Sequence, residues 1–233
     1  MFNECIDMSQ MTTTPKFYGL DCRALDSSQQ TKLITSVVVP RPIALICTEG
    51  PAGLNAAPFS FFNIASSSPP MVMFSIGAAQ YQRAGEPKDT LINLEASREF
   101  VLHLVDFQNR EKMNACSPEY PADVNELEIA QFTLERSVKV RPPRITDFPV
   151  QFECVVSQMH DIPGSAHRLV IGEILYAHYR DGVFNEHLHV DLGVLDTIGR
   201  LSSPGTYARI TDRFPMPPPS LTATAPWPGE AKS

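Results

Sequence analysis

The chain has 233 residues, of which 43% are hydrophobic and 19% charged, and its formal net charge is −7 at pH 7. This composition supplies enough apolar material for one core, and the acidic balance disfavours binding to nucleic-acid phosphates or to an anionic membrane surface. No apolar segment is long enough to span a bilayer and no Lys or Arg precedes Lys16, so we expect no signal or transit peptide and a cytoplasmic protein.

The first patterned segments predict a helix followed by a β-hairpin. Asp26 has the position of an N-cap for a short helix, which we expect to close one end of a barrel. Residues 40–42, Pro-Arg-Pro, then lead into the apolar run 43–47. The glycine and proline residues at 50–53 favour a turn, so a second strand should begin at Leu54.

The strand that begins at Leu54 and the run 71–76 are largely apolar on both faces. In the first strand Phe59 and Phe61 share one face, while Ser60 and Phe62 share the other. A strand of this kind needs a core behind it and a helix, a ligand or a second subunit in front of it. In a small β domain this pattern is typical of a barrel.

The second half of the chain predicts two helices and a long hairpin. Helices should begin near Asp89 and at Asp106, on either side of a strand over residues 100–105. Strands over residues 150–159 and 168–179 flank a turn and should pair with each other.

The chain is expected to contain one domain, over residues 17–214. Residues 1–16 have no pattern and should form a flexible segment, and the proline-rich residues 215–233 should form an extended tail. The five cysteines are scattered and form no Cys-x-x-Cys pair, which disfavours a disulfide framework or a zinc site. His187 and His189 have the spacing of two metal ligands but lack nearby partners, so we expect no metal ion.

Four motifs carry a resemblance to a known family: PRPIALICT, NAAPFSFFN, SSPPMVMFSIG and KDTLIN, in this order. The chain resembles the flavin reductase-like family, and within it the branch of nitrilotriacetate monooxygenase component B and flavoprotein oxygenases. The resemblance implies a mainly β fold with a few helices, an FMN-binding split β-barrel of Greek-key type. It also implies a homodimer in which NADH or NADPH reduces FMN, and a flavin-dependent monooxygenase as the partner that receives the reduced flavin.

Lys88, Asp89 and Thr90 stand where a helix should begin. A helix N-terminus offers unpaired N–H groups and a partial positive charge, and a lysine and a hydroxyl would complete a site for the flavin phosphate. The alternative is that Asp89 only caps the helix and Lys88 is solvated. The resemblance favours the phosphate site.

Residues 57–63 combine main-chain groups with small polar side chains, which suits the edge of an isoalloxazine ring. We expect Phe59 and Phe61 to belong to the core. The residues expected to contact the flavin are Ala57, Pro58, Ser60, Phe62 and Asn63.

Three further residues are candidates for the phosphate or ribityl part of the flavin. Ser66 and Ser67 would donate hydrogen bonds to its oxygens, although a serine run before two prolines also suits a solvated turn. Arg41 is fixed between two prolines and would pair with the phosphate or with a surface carboxylate.

His167 lies five residues before Gly172. A histidine at this spacing lies beside the flavin in the phenol and hydroxyphenylacetate branches of the superfamily, so the resemblance implies that His167 is catalytic. Imidazole is donor, acceptor or cation near neutral pH and would orient the reduced cofactor or balance its charge. The alternative is a solvated loop residue.

Two other functions fit the same sequence. One is an FMN-binding electron carrier without NAD(P)H activity, and the other is a non-catalytic dimeric barrel that binds another small molecule. No glycine-rich dinucleotide motif follows a strand, so a nicotinamide would stack directly on the flavin.

Overall fold

The structure is a computed structural model that describes residues 17–80, 83–121, 124–202 and 205–217. The predicted flexible segment, residues 1–16, and residues 218–233 of the predicted tail lie outside the described residues.

Five α-helices and twelve β-strands lie within the described ranges. The helices are α1 (Ser27–Val37), α2 (Asp89–Ser97), α3 (Arg110–Ala115), α4 (Glu126–Ile129) and α5 (Leu192–Leu195). The strands are β1 (Arg41–Pro42), β2 (Ala44–Gly50), β3 (Gly53–Phe59), β4 (Phe62–Ser67), β5 (Pro70–Ile76), β6 (Glu99–Leu104), β7 (Leu134–Glu135), β8 (Arg144–Ile145), β9 (Val150–Asp161), β10 (Arg168–Tyr179), β11 (Ile198–Arg200) and β12 (Tyr207–Arg209). None of these helices combines the length and the apolar composition that crossing a bilayer requires.

Seven antiparallel strands form the main sheet, in the order β3, β2, β6, β9, β10, β5, β4. Its edge strands β3 and β4 are consecutive in sequence and are joined only by Ser60 and Phe61. Because the chain links one edge directly to the other, the sheet curves until the two edges approach. Phe59 of β3 packs on Phe74 of β5 with the ring centroids 5.4 Å apart, and the Phe61 carbonyl accepts a hydrogen bond from Ser75 N.

The hairpins predicted from the sequence are confirmed. β2 pairs with β3 from Ala44 opposite Phe59 to Gly50 opposite Gly53. The turn residue Gly53 has φ +81°, a conformation that glycine adopts without strain. β9 and β10 are each twelve residues long and pair along this length, with register shifts that include one between Ile171 and Gly172.

Strand β2 is buried on both faces along most of its length. Ala44 and Ile46 join the core inside the barrel, whereas Leu45 joins a second core with Met113 of α3 and Leu127 of α4. Since alternate residues of a strand face opposite ways, this strand separates the two cores.

The two-sided burial predicted for residues 71–76 is only half realised within one chain. Val72, Phe74 and Ile76 are buried, and the residues between them are partly exposed. Next to them, Ile64 of the edge strand β4 has 69% of its surface exposed.

The helix that contributes to the barrel core is not the one predicted from the sequence. Asp26 caps α1 through a capping box with Gln29, as the sequence predicted, but α1 buries none of its residues. The barrel core instead receives Leu94 of α2, which is fully buried. An N-cap marks where a helix begins but not which surface it covers.

Two element boundaries differ from the prediction. The strand predicted from Leu54, which is β3, ends at Phe59. The chain bends at Ser60 and Phe61 to cross from one sheet edge to the other. The helix expected from Asp106 begins only at Arg110. The Asp106 carboxylate accepts hydrogen bonds from Asn109 N and Nδ2 at 3.0 and 2.8 Å, which stabilises a turn at this point instead.

Candidate functional site

The N-terminus of α2 opens into a small cavity of about 60 Å³. It brings together five of the residues predicted to bind the flavin: Ala57, Pro58, Lys88, Asp89 and Thr90. Ala57 and Pro58 belong to β3, and the other three residues stand at the start of α2. The two elements are held together by a hydrogen bond between Thr90 and Asn55 of β3.

Lys88 is the N-cap residue of α2, and its side chain does not cap the helix. Its Nζ lies 3.2 Å from Glu119 Oε1. The two oxygens of the same carboxylate also accept a hydrogen bond from Gln80 N, at 2.8 and 2.7 Å. A lysine and a backbone N–H thus converge on one anionic group at the helix N-terminus, and both are donors that suit a phosphate oxygen.

Asp89 neither caps the helix nor faces solvent freely. Its two carboxylate oxygens accept from the Arg83 guanidinium at 2.7 and 2.9 Å, and Arg83 Nε also donates to Glu86 at 3.0 Å. Bidentate pairing of this kind fixes the direction of both side chains. Asp89 therefore positions Arg83 on the cavity wall.

Thr90 begins a buried chain of hydrogen bonds. Its hydroxyl donates to Asn55 Oδ1 at 2.7 Å, and Asn55 Nδ2 donates to Glu126 Oε1 at 3.1 Å. Burial raises the pKa of Glu126, because removal from water disfavours its charged form. Thr90 is only 1% exposed, so its hydroxyl is committed to this network.

A second cavity, of about 390 Å³, lies between α1 and the junction of β3 and β4. It collects four more of the predicted residues: Arg41, Ser60, Phe62 and Asn63. Ile34 and Val38 from α1 and its C-cap supply apolar surface opposite them. The combination of apolar walls and a few polar groups is typical of a site for a flat, amphipathic ligand.

Arg41 is engaged with the backbone. Its guanidinium donates to the carbonyls of Val38 at 2.9 Å and Leu201 at 2.8 Å, and to that of Thr35. Burial and the neighbouring Arg200 lower its pKa. In this arrangement Arg41 connects α1 to the residue that follows β11, and its pairing with phosphate stays a prediction.

His167 packs against the predicted flavin segment. Its ring lies over Phe61, with the centroids 5.7 Å apart and the planes at 23°, and a Cβ on Gly77 would be 3.0 Å from its Nε2. Nδ1 is 3.1 Å from Ser165 Oγ. His167 is the last residue of the loop between β9 and β10, and it is partly buried.

Ser66 and Ser67 lie apart from these residues. They end β4, where Ser66 Oγ accepts from Ser68 N at 3.2 Å. Within the described residues, neither serine lines the two cavities above.

Comparison with known proteins identifies the family of this chain. Residues 36–199 match the family described as flavin reductase like domain. The chain belongs to the flavin reductase-like family.

Three relatives illustrate the similarity. Nitrilotriacetate monooxygenase component B from Bacillus cereus is 26% identical, with a TM-score of 0.81 over 87% of this chain and 100% of that chain. The 2-nitrobenzoate 2-nitroreductase of Pseudomonas fluorescens is 32% identical, with a TM-score of 0.78 over 90% and 100%. An uncharacterized protein of Deinococcus radiodurans is 35% identical over 84% of this chain and 87% of its own length. A further structural neighbour, at 20% identity, is described as having a split barrel domain, so the split-barrel fold is confirmed.

In this flavin reductase-like protein, sequence reasoning missed three residues of the candidate site. Phe61 was assigned to the core, but it is 41% exposed and stacks on His167. Arg83 and Glu119 lie in segments without periodicity, so no local pattern indicated them. For Arg83 the spacing of acids at residues 86 and 89 was the one available signal.

Proposed function

We propose that this protein binds FMN, reduces it with NADH or NADPH, and passes the reduced flavin to a partner monooxygenase. The observation that carries the proposal is the course of residues 57–63. Ala57 and Pro58 line the cavity at the start of α2, and Ser60, Phe62 and Asn63 line the cavity beside α1. One short segment therefore joins a phosphate-type site to an apolar site, the two parts that a flavin mononucleotide needs.

In this arrangement Lys88 would hold the phosphate in place of the Glu119 carboxylate, and Phe61 and His167 would line the side of the isoalloxazine ring. The name of the Bacillus cereus relative, a component of nitrilotriacetate monooxygenase, supports transfer of the flavin to a partner oxygenase. The hydride chemistry is that of the two cofactors, and the chain supplies position and charge.

Substitution of Lys88 and of Glu119 should change FMN affinity in opposite directions. Lys88→Ala should weaken FMN binding about tenfold, or about 1.4 kcal/mol, and leave riboflavin unchanged, because riboflavin has no phosphate. Glu119→Gln should tighten FMN severalfold, since it removes the carboxylate that competes for Lys88. Fluorescence titration of both flavins measures this.

Lys139→Ala is the matched control for this titration. Lys139 is exposed and lies away from the cavity, so its loss should leave both affinities unchanged. Equal losses of FMN and riboflavin in Lys88→Ala would remove Lys88 from the phosphate site. Absence of binding at about 100 μM protein would overturn the assignment of FMN altogether, since it implies a binding free energy weaker than about −5.5 kcal/mol.

His167→Ala should leave FMN affinity nearly intact and lower kcat/KM for NADH or NADPH by about tenfold or more, because the ring lies beside Phe61 on the proposed nicotinamide side. His160→Ala on the neighbouring strand is the control, since the His160 ring is exposed and contacts Gln158, away from Phe61. Unchanged steady-state kinetics in His167→Ala would assign His167 a packing role.

We further propose a homodimer that covers the exposed apolar residues of β4 and β10. Ile64 is 69% exposed there, and Leu175 and Tyr176 of β10 are each 41% exposed. Large apolar residues on a sheet face are typical of an interface. Light scattering at micromolar concentration should give twice the mass of the chain, and Ile64→Lys should reduce that mass; a monomeric wild type would contradict the proposal.

A second candidate function is direct reduction of a nitroaromatic acid by the bound flavin. It is favoured by the 32% identity to the 2-nitrobenzoate 2-nitroreductase, which extends over 100% of that chain. Anaerobic NADH or NADPH consumption separates the candidates. Consumption with free FMN alone supports the flavin reductase, consumption only with 2-nitrobenzoate supports the nitroreductase, and consumption with neither supports an electron carrier.

A further inference from the structure

A cavity of about 700 Å³ lies between α3 and the strands β11 and β12, outside the two cavities assigned to FMN. Six side chains on its wall are aromatic or charged: Phe107, Arg110, Glu111, Arg200, Tyr207 and Arg209. Three guanidinium groups thus face one carboxylate, in a chain whose net charge is −7. The cavity therefore has a local excess of positive charge, which suits an anionic ligand.

Aromatic rings hold these arginines in place. The guanidinium carbons of Arg110 and Arg209 each lie 4.1 Å from the centroid of the Phe107 ring. Arg200 lies 4.6 Å from the centroid of Tyr207 and donates to its hydroxyl. Arginine side chains that are stacked in this way lose less conformational entropy when they bind an anion.

The positive charge is only partly neutralised within the chain. Arg209 pairs with Asp196 at 2.7 Å, and Arg110 lies 3.4 Å from the exposed Glu111. For Arg200, no carboxylate of the described residues lies within ion-pair distance. Its charge is strong enough at the neighbouring Arg41 to help lower the pKa of that group.

The cavity is next to the proposed phosphate site. Ser117 lies on the wall of both this cavity and the cavity that contains Lys88 and Thr90. A ligand whose first phosphate is at Lys88 would therefore extend its second phosphate, and the group attached to it, toward the adjoining arginines. Several fixed guanidinium groups suit phosphates, which they contact in pairs of hydrogen bonds.

We propose that this cavity binds the adenosine-phosphate half of a dinucleotide. The inference rests on the proposed function, because both candidate dinucleotides, FAD and NAD(P)H, belong to that reaction. FAD and NAD(P)H have this half in common: a phosphate would pair with the arginines, and the adenine would stack on a guanidinium group. The site would allow this protein to accept a flavin or nicotinamide dinucleotide in addition to FMN.

Calorimetric titration of the full chain with ADP tests the site without any flavin. ADP should bind once per chain with a submillimolar Kd, and adenosine at the same concentration should not bind. Arg200→Gln and Arg110→Gln should each weaken ADP by fivefold or more. Arg141→Gln is the control, because Arg141 is an exposed arginine near Glu49 outside the cavity.

Added salt gives a second measurement that needs no substitution. Raising the ionic strength should weaken ADP severalfold, because screening acts on a partly exposed charge site. Equal binding of adenosine and ADP, or unchanged ADP affinity in both arginine variants, would overturn the proposal. Failure here leaves the Lys88 titration with FMN unaffected, so the two proposals fail separately.

Competition identifies the source of the adenosine phosphate. If ADP displaces FAD but not FMN, the cavity belongs to the flavin dinucleotide. If ADP raises KM for NADH or NADPH and leaves FAD binding unchanged, the cavity belongs to the nicotinamide co-substrate. ADP that binds but competes with neither would overturn the assignment to a dinucleotide.

Discussion

Gly172→Ala is expected to lower the free energy of unfolding by about 3 kcal/mol, the upper end of the usual cost of overpacking a core. A Cβ at this position would lie 2.4 Å from Cζ of Phe100, which is fully buried. Phe100 cannot retreat easily, because its ring packs edge-on against Phe74 with the centroids 5.4 Å apart. Urea denaturation of the variant and the wild type measures the difference.

A second substitution separates this clash from other effects. Phe100→Leu removes the ring atoms that the new methyl group would meet, so the double variant should be more stable than the sum of the single effects predicts. Gly19→Ala is the control, because nothing lies within 4 Å of a Cβ there. Additive losses in the double variant would show that the Cβ of residue 172 is accommodated in another way.

Lowering the pH from 7 to 4 should reduce the free energy of unfolding by about 3 kcal/mol through His103 alone. Its buried ring lies 3.0 Å from Leu45 O through Nδ1 and accepts from Ile145 N through Nε2 at 2.8 Å. A neutral ring satisfies both contacts. Burial lowers the pKa of His103 from 6.5 to about 4.

The direction of this effect follows from proton binding. Between pH 6.5 and 4 the unfolded chain binds a proton at His103 and the folded chain does not, so acid favours unfolding in that window. His103→Gln keeps a donor and an acceptor without a titrating group, and its stability should depend less steeply on pH. The raised pKa of Glu126 acts in the opposite direction but is present in both proteins. Equal slopes for the two proteins would contradict the assignment.

The sequence predicted those parts of the fold that depend on local signals. The turn residues at 50–53 and 161–164 predicted the β2–β3 and β9–β10 hairpins. Prediction from the sequence failed where contacts with distant segments determine the structure. The bend at Ser60 arises because β3 and β4 end on opposite edges of one curved sheet, which no local pattern reports.

The same distinction applies to the candidate site. Lys88 could be selected from the sequence because a helix N-terminus with a lysine has a local signature. Glu119 could not, because it is 31 residues further along in a segment without a pattern. The arginine cavity was also missed, since Phe107 and Arg209 meet only after α3 packs against β12.

The junction of β3 and β4 links flavin binding to the stability of the fold. The segment proposed to bind the flavin is also the segment at which the two sheet edges meet. A ligand that contacts residues on both sides of Ser60 binds the closed barrel and not the unfolded chain, so folding and occupancy are thermodynamically linked. Free FMN at 100 times its Kd would add about 2.7 kcal/mol to the free energy of unfolding. The lifetime of this protein would then depend on the flavin supply.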